Sequence, residues 1–138
     1  MPSDLTDADY AALATFRFSL RKFLSFSEQA ATDCGLTPQQ HQAMLVIRSA
    51  PEEATVGYVA ERLILKPHSA TGLINRLVAA GLIERRTSLQ DKRSAILALT
   101  DTADTVLQRL SVAHREEIRR LRPLMTDLLD RLDTSTDG

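Results

Sequence analysis

With 138 residues, 43% of them hydrophobic and 25% charged, the chain has the size and balance of one folded domain. There is no Trp and aromatic residues make up only 4%, so aliphatic side chains must fill the core. Leu is abundant and long β-rich runs are absent, which points to an α-dominated chain; the formal net charge of -1 argues against a general polycation.

Thr6-Asp7-Ala8-Asp9 predicts a helix start with acidic residues in its first turn. Leu13, Phe16, Leu20, Phe23 and Leu24 then recur at helical spacing, with Phe18 and Phe26 off that stripe, so this helix carries more apolar surface than one partner needs. Asp33-Cys34-Gly35 reads as its exit. Thr37-Pro38-Gln39-Gln40 holds a capping residue, a Pro at the first helical position and a Gln placed to close a capping box. The second helix should stop before Pro51. After the loop Ala50 to Ala54, Thr55-Val56 is read as a very short strand.

Gly57 to Leu63 predicts a short third helix, buried through Val59, Ala60 and Leu63. Ile64-Leu65-Lys66 connects it tightly to a fourth, which Pro67 opens. There Ala70, Leu73, Ile74 and Leu77 fall on one face, leaving His68, Ser69, Thr71, Gly72, Asn75 and Arg76 outside, and Gly81 ends the helix. Two helices joined by about three residues, the second polar on one side, are helix-turn-helix geometry. Leu82 to Thr87 and Ser94 to Leu99 read as two strands around a turn at Leu89 to Arg93, a hairpin in the position of a wing. Thr100-Asp101 caps a fifth helix lined by Val106, Leu107, Leu110, Ile118 and Leu121. Pro123 is expected to break it and open a sixth, with Leu124, Met125, Leu128, Leu129 and Leu132 as its stripe. Thr134 to Gly138 reads as a frayed polar tail.

Charge is unevenly placed along this order. Between Arg62 and Arg93 stand Arg62, Lys66, Arg76, Arg85, Arg86, Lys92 and Arg93 against only Glu84 and Asp91, so a basic middle sits in an acidic frame. That pattern suits local contact with a polyanion, although a solvated charged face would look the same. Other chemistry finds little support. The lone Cys34 excludes an intrachain disulfide and a thiolate-clustered metal site. His41, His68 and His114 lie too far apart to pair as ligands on one helix, and no phosphate loop or nucleophile elbow occurs. No metal, cofactor or enzymatic role is expected. The longest apolar run, Ala43 to Ile47, is too short to span a bilayer, and Met1 to Leu5 lacks the features of a signal peptide, so a cytoplasmic protein is expected.

The order of these pieces resembles the MarR family of bacterial regulators. The residues that carry the resemblance are Leu36 to Gln40, Val59 to Leu63, Pro67 to Leu77, Gly81 to Arg85, Asp91-Lys92-Arg93 and Leu99-Thr100. It implies a mainly α, winged helix-turn-helix fold with a small β-hairpin wing. Residues 36–100 would form the DNA-binding lobe, with Val56 to Thr100 reading the duplex, and 5–34 and 101–133 would be dimerisation helices. It further implies a homodimer on a pseudo-palindromic operator, its recognition helices about one DNA turn (roughly 34 Å) apart. A repressor relieved by a small aromatic or anionic effector fits that family.

Carried over residue by residue, the resemblance assigns DNA contact to Lys66, His68, Ser69 and Thr71 at the start of the recognition helix, and to Arg76 further along it. Arg76 could instead pair with Asp91. In the wing, Arg93 matches the arginine that enters the minor groove, Lys92, Arg85 and Arg86 are phosphate candidates, and Asp91 should orient the wing. Gly72 departs from a common pattern with a long polar side chain there, which shifts specificity toward DNA shape. For an effector, Arg17, His41 and His114 are the polar residues of the dimer-side helices that could meet an anion. Two rival readings are a thiol-based redox sensor through Cys34 and a helical interaction protein without DNA binding. Cys34 follows the first helix with no basic residue beside it in sequence to activate the thiol, so a structural role is expected.

Overall fold

The computed structural model describes residues 4–134. Its elements run α1 (Asp7–Asp33), α2 (Pro38–Ser49), α3 (Val56–Leu63), α4 (Pro67–Ala79), β1 (Ile83–Thr87), β2 (Ala95–Leu99) and α5 (Asp101–Thr134). They fall into two compact units, one from Ala30 to Ser111 and one built from the outer parts of α1 and α5.

The first unit is a winged helix. Met44 of α2, Val59 of α3, Leu73, Ile74 and Leu77 of α4 and Ile83 of β1 are its fully buried large side chains. Burying each such aliphatic group contributes about 1.5–3 kcal/mol, so this cluster fixes how the three helices and the hairpin meet. Ala70, Leu73, Ile74 and Leu77 are buried together, as the helical spacing requires, and Leu63 is half-buried against the same core. β1 and β2 pair antiparallel, with Ile83 opposite Leu99 and Thr87 opposite Ala95.

Local chemistry sets the ends of these elements. Thr37 and Gln40 form the reciprocal capping box at α2. Thr55 caps α3 by accepting from the Tyr58 N–H, and Thr100 caps α5 through the Ala103 N–H. Thr6 and Asp9 exchange hydrogen bonds at the start of α1 in the same way. At Gly35 and Gly81, both at positive φ, α1 and α4 end in paired 6→1 and 5→2 hydrogen bonds. The same bonds close α3, but there the left-handed residue is Ile64, at φ 54°.

Two expectations are corrected. Val56 is helical rather than part of a strand, because Thr55 caps α3 one residue earlier than Gly57 suggests. Strand-like pairing falls instead on Ala54, whose carbonyl accepts the Leu97 N–H at 2.8 Å. Pro123 does not divide the last helix either: α5 is continuous from Asp101 to Thr134. A proline there removes the bond to the Arg119 carbonyl. Both residues are exposed, so solvent can hydrate that carbonyl and the helix continues. Thr134 is the last helical residue; the rest of the expected tail, and Met1 to Ser3, lie outside the described residues.

The second unit pairs the outer part of α1 with that of α5. The expected single stripe of α1 splits in two. Phe16, Phe23 and Phe26 are half-buried, whereas Leu13, Leu20 and Leu24 are 42–48% exposed and Phe18 is 62% exposed. On α5, Ile118, Leu124, Leu129 and Leu132 are exposed too, while Leu128 is buried. Phe16, Leu20, Phe23, Ile118, Leu121 and Met125 line an open apolar groove within this unit. Among the described residues no helix is long and apolar enough to cross a membrane.

Candidate nucleic-acid interface

Helix α4 turns its buried face to the core and its polar face to solvent: His68, Ser69, Thr71, Asn75 and Arg76 are all exposed. Its start differs from the other helices. Lys66 is the N-cap and makes no side-chain capping bond, and Pro67 has no N–H, so the free amides of the first turn point outward from an exposed end. Such an end, with the helix dipole behind it, attracts phosphate oxygens. The Thr71 hydroxyl donates to the Pro67 carbonyl at 3.0 Å, which leaves its oxygen outward as an acceptor.

Arg76 folds back along the helix. A Cβ at Gly72 would lie 3.5 Å from Arg76 Nη1, so the guanidinium occupies the space that a longer side chain at 72 would claim. Position 72 itself offers no side chain, and that of Arg76 reaches the same place from one turn on. Asn75, beside it, accepts from Arg85 Nη2 and ties β1 to the recognition helix.

The wing is built around two small polar residues. Ser88, buried at the end of β1, accepts the Gln90 and Asp91 N–H groups on its hydroxyl and donates its own N–H to the Ser94 carbonyl. Asp91 accepts the Arg93 N–H and the Ser94 hydroxyl, both at 3.0 Å. Its carboxylate therefore shapes the backbone that carries Arg93 rather than holding Arg76. Arg85, Arg86, Lys92 and Arg93 line one shallow depression with Thr87 and Ser94. Arg86 also meets Glu84 at 3.3 Å, an exposed pair worth little and easily exchanged for a phosphate.

Two contributors escape a reading of the sequence. Ser88 stands three residues before Asp91, a serine-turn spacing that could have marked it. Glu53, in the α2–α3 loop, accepts the Leu89 and Gln90 N–H groups at the wing tip, across 36 and 37 residues. No local pattern signals a bond of that span.

The remaining candidates fall in both units. His114 Nε2 lies 2.7 Å from Ser27 Oγ, with edge contacts to Phe23 and Phe26. Arg17 is exposed on α1 of the same unit, whereas His41 is buried in α2 of the winged unit. Cys34 is half-buried at the end of α1 and packs against the winged-helix core. Among the described residues no group of three or more His, Cys, Asp or Glu is placed to hold a metal ion.

The sequence model of the MarR family matches residues 35–94, from the end of α1 through the wing. This segment, which holds the helix-turn-helix and the wing, is similar to the MarR family. The HTH-type transcriptional repressor MdtR of Bacillus subtilis is 28% identical over 95 residues, which are 67% of this chain and 59% of that one, so the alignment spans less than two thirds of the relative. Among solved structures, a MepR mutant of S. aureus bound to an oligodeoxyribonucleotide superposes with a TM-score of 0.69 at 18% identity, over 96% of this chain and 99% of that one. CouR of Rhodococcus jostii, bound to p-coumaroyl-CoA, gives a TM-score of 0.66 at 19% identity, over 82% of each chain. The chain thus shares the fold of these two solved structures over most of its length.

Proposed function

We propose that this protein is a sequence-specific regulator of transcription that binds double-stranded DNA as a homodimer on a pseudo-palindromic operator. The observation that carries the reading is the joint presentation of an uncapped, polar recognition helix and a wing whose four cations share one depression. His68, Ser69 and Thr71 meet base edges and phosphates, Lys66, Arg85, Arg86 and Lys92 meet backbone phosphates, and Arg93 enters the minor groove. Arg76, lying over Gly72, offers the long donor of the recognition helix. The repressor relative and the DNA-bound MepR structure support this assignment.

Dimerisation accounts for the apolar side chains that α1 and α5 leave exposed, since a second copy would cover Leu13, Leu20, Leu24, Leu124 and Leu129. Repression relieved by a small aromatic or anionic effector completes the reading, with CouR as a ligand-bound relative in fold. The decisive experiment is a binding titration of the purified protein against its own upstream DNA across a salt series, alongside sedimentation. A dimer that saturates one site, with affinity falling steeply in salt and unrelated DNA binding far more weakly, is expected. Equal affinity for unrelated DNA, or a monomer at binding concentrations, would sink it.

A further inference from the structure

We propose that Glu53 is a positioning residue that latches the wing tip to the helix-turn-helix, an inference that rests on the DNA-binding reading above. The segment Glu53-Ala54-Thr55 fastens three separate parts of the lobe in three consecutive residues. Glu53 Oε1 accepts the Leu89 and Gln90 N–H groups at 3.2 and 3.3 Å. The Ala54 carbonyl accepts the Leu97 N–H of β2. The Thr55 hydroxyl caps α3. Wing tip, wing stem and the first helix of the helix-turn-helix are therefore referred to one short stretch of backbone.

Glu53 is the member of this segment whose side chain holds the wing. The wing is a hairpin with two strands of five residues, and its tip carries Lys92 and Arg93. Ser88 and Asp91 fix the turn internally, but Glu53 is what ties it to the α2–α3 loop. Two N–H groups converging on one ionised oxygen are charge-assisted bonds, stronger than neutral ones. The other oxygen, Oε2, is buried with no hydrogen-bond partner among the described residues, a cost that the two bonds on Oε1 must offset. A carboxylate beside a DNA-binding wing also repels phosphate. Its presence there is explained by what it holds, not by its charge.

That opposition gives the test its sign. Charge alone predicts that Glu53→Ala binds DNA more tightly; the latch predicts weaker binding. In DNA-free protein, hydrogen exchange at the Leu89 amide should rise roughly tenfold in Glu53→Ala, less at Gln90, whose N–H also donates to Ser88 Oγ, and little in the α4 core. Affinity for the operator should fall roughly fivefold, and the loss should largely vanish when Arg93→Ala is already present, because the latch acts through that arginine. Glu53→Gln keeps an acceptor oxygen and loses the charge, so it should retain most of the protection and bind at least as tightly as wild type. Unchanged exchange in Glu53→Ala overturns the latch whether or not the wild type binds DNA. Tighter binding by Glu53→Ala, full additivity with Arg93→Ala, or Glu53→Gln as weak as Glu53→Ala also overturns it. Raised exchange together with a wild type that binds no DNA would retain the latch and overturn the regulator reading instead.

Discussion

Arg85 and Asn75 join the wing to the recognition helix: Nη2 of the arginine, on β1, donates to Oδ1 of the asparagine on α4. Both residues are exposed, so the bond adds little to folding. Its effect is to hold one guanidinium of the wing in a fixed direction beside α4. An oriented donor meets a phosphate without first losing side-chain freedom. Asn75→Ala should leave thermal stability nearly unchanged and weaken operator binding about two- to fivefold. In an Arg85→Ala background the same change should do almost nothing. A fluorescence-anisotropy cycle over the four proteins measures this, and additive losses would exclude the pairing as the cause.

How much of the fold and the interface is legible in the sequence varies with the range of the interaction. The spacing of Ala70, Leu73, Ile74 and Leu77 announces the buried face of α4, and Thr37 with Gln40 announces the start of α2, because both signals are local. Polar exposure of His68, Ser69 and Thr71 follows from the same periodicity. Local patterns fail where distant partners decide. Phe26 lies off the Leu13–Leu24 stripe on a helical wheel, yet it is half-buried against His114, far along the chain on α5. Glu53 looks like any loop carboxylate until the wing tip is placed beside it. Pro123 misleads for a different reason: the Arg119 carbonyl that it leaves free is on an exposed part of α5, so the lost bond need not end the helix.

Arg93 is the residue on which the wing's role can be tested alone. Its backbone is fixed by Asp91 and its side chain is exposed, so truncation should change neither the turn nor the core. Arg93→Ala should weaken binding to every DNA sequence and lower the salt slope by about one for each phosphate it no longer neutralises. An unchanged affinity and slope in the salt titration would remove Arg93 from the interface.

Gly72 separates stability from binding. A methyl group there would stand 3.5 Å from Arg76 Nη1, an ordinary contact with the free end of a flexible side chain. Gly72→Ala should therefore stabilise α4 by about 0.5–1 kcal/mol in urea unfolding, the usual advantage of Ala over Gly in a helix. It should also weaken operator binding, by adding bulk where the backbone approaches DNA, with the Arg76 guanidinium left in place. A more stable variant with wild-type affinity would show that this turn of α4 stays clear of the groove.

Ile64 is the one non-glycine residue at positive φ among those described, and it is a β-branched one. Left-handed backbone costs a residue with a Cβ about 1–2 kcal/mol. The side chain offers no packing in return, since it is 92% exposed. What holds it there is the pair of terminal bonds, Ile64 N–H to the Glu61 carbonyl and Leu65 N–H to the Ala60 carbonyl, which turn the chain from α3 into α4 within three residues. Ile64→Gly relieves the strain but loosens the unfolded chain by about 0.4–1 kcal/mol. The first effect should win, for a net gain of about 0.5–1 kcal/mol and a higher urea midpoint. A lower midpoint would mean that Ile64 packs in solution. Operator affinity decides whether the side chain has a further use: a variant that is more stable yet binds DNA less well would place this exposed isoleucine, at the turn of the helix-turn-helix, in contact with the duplex backbone.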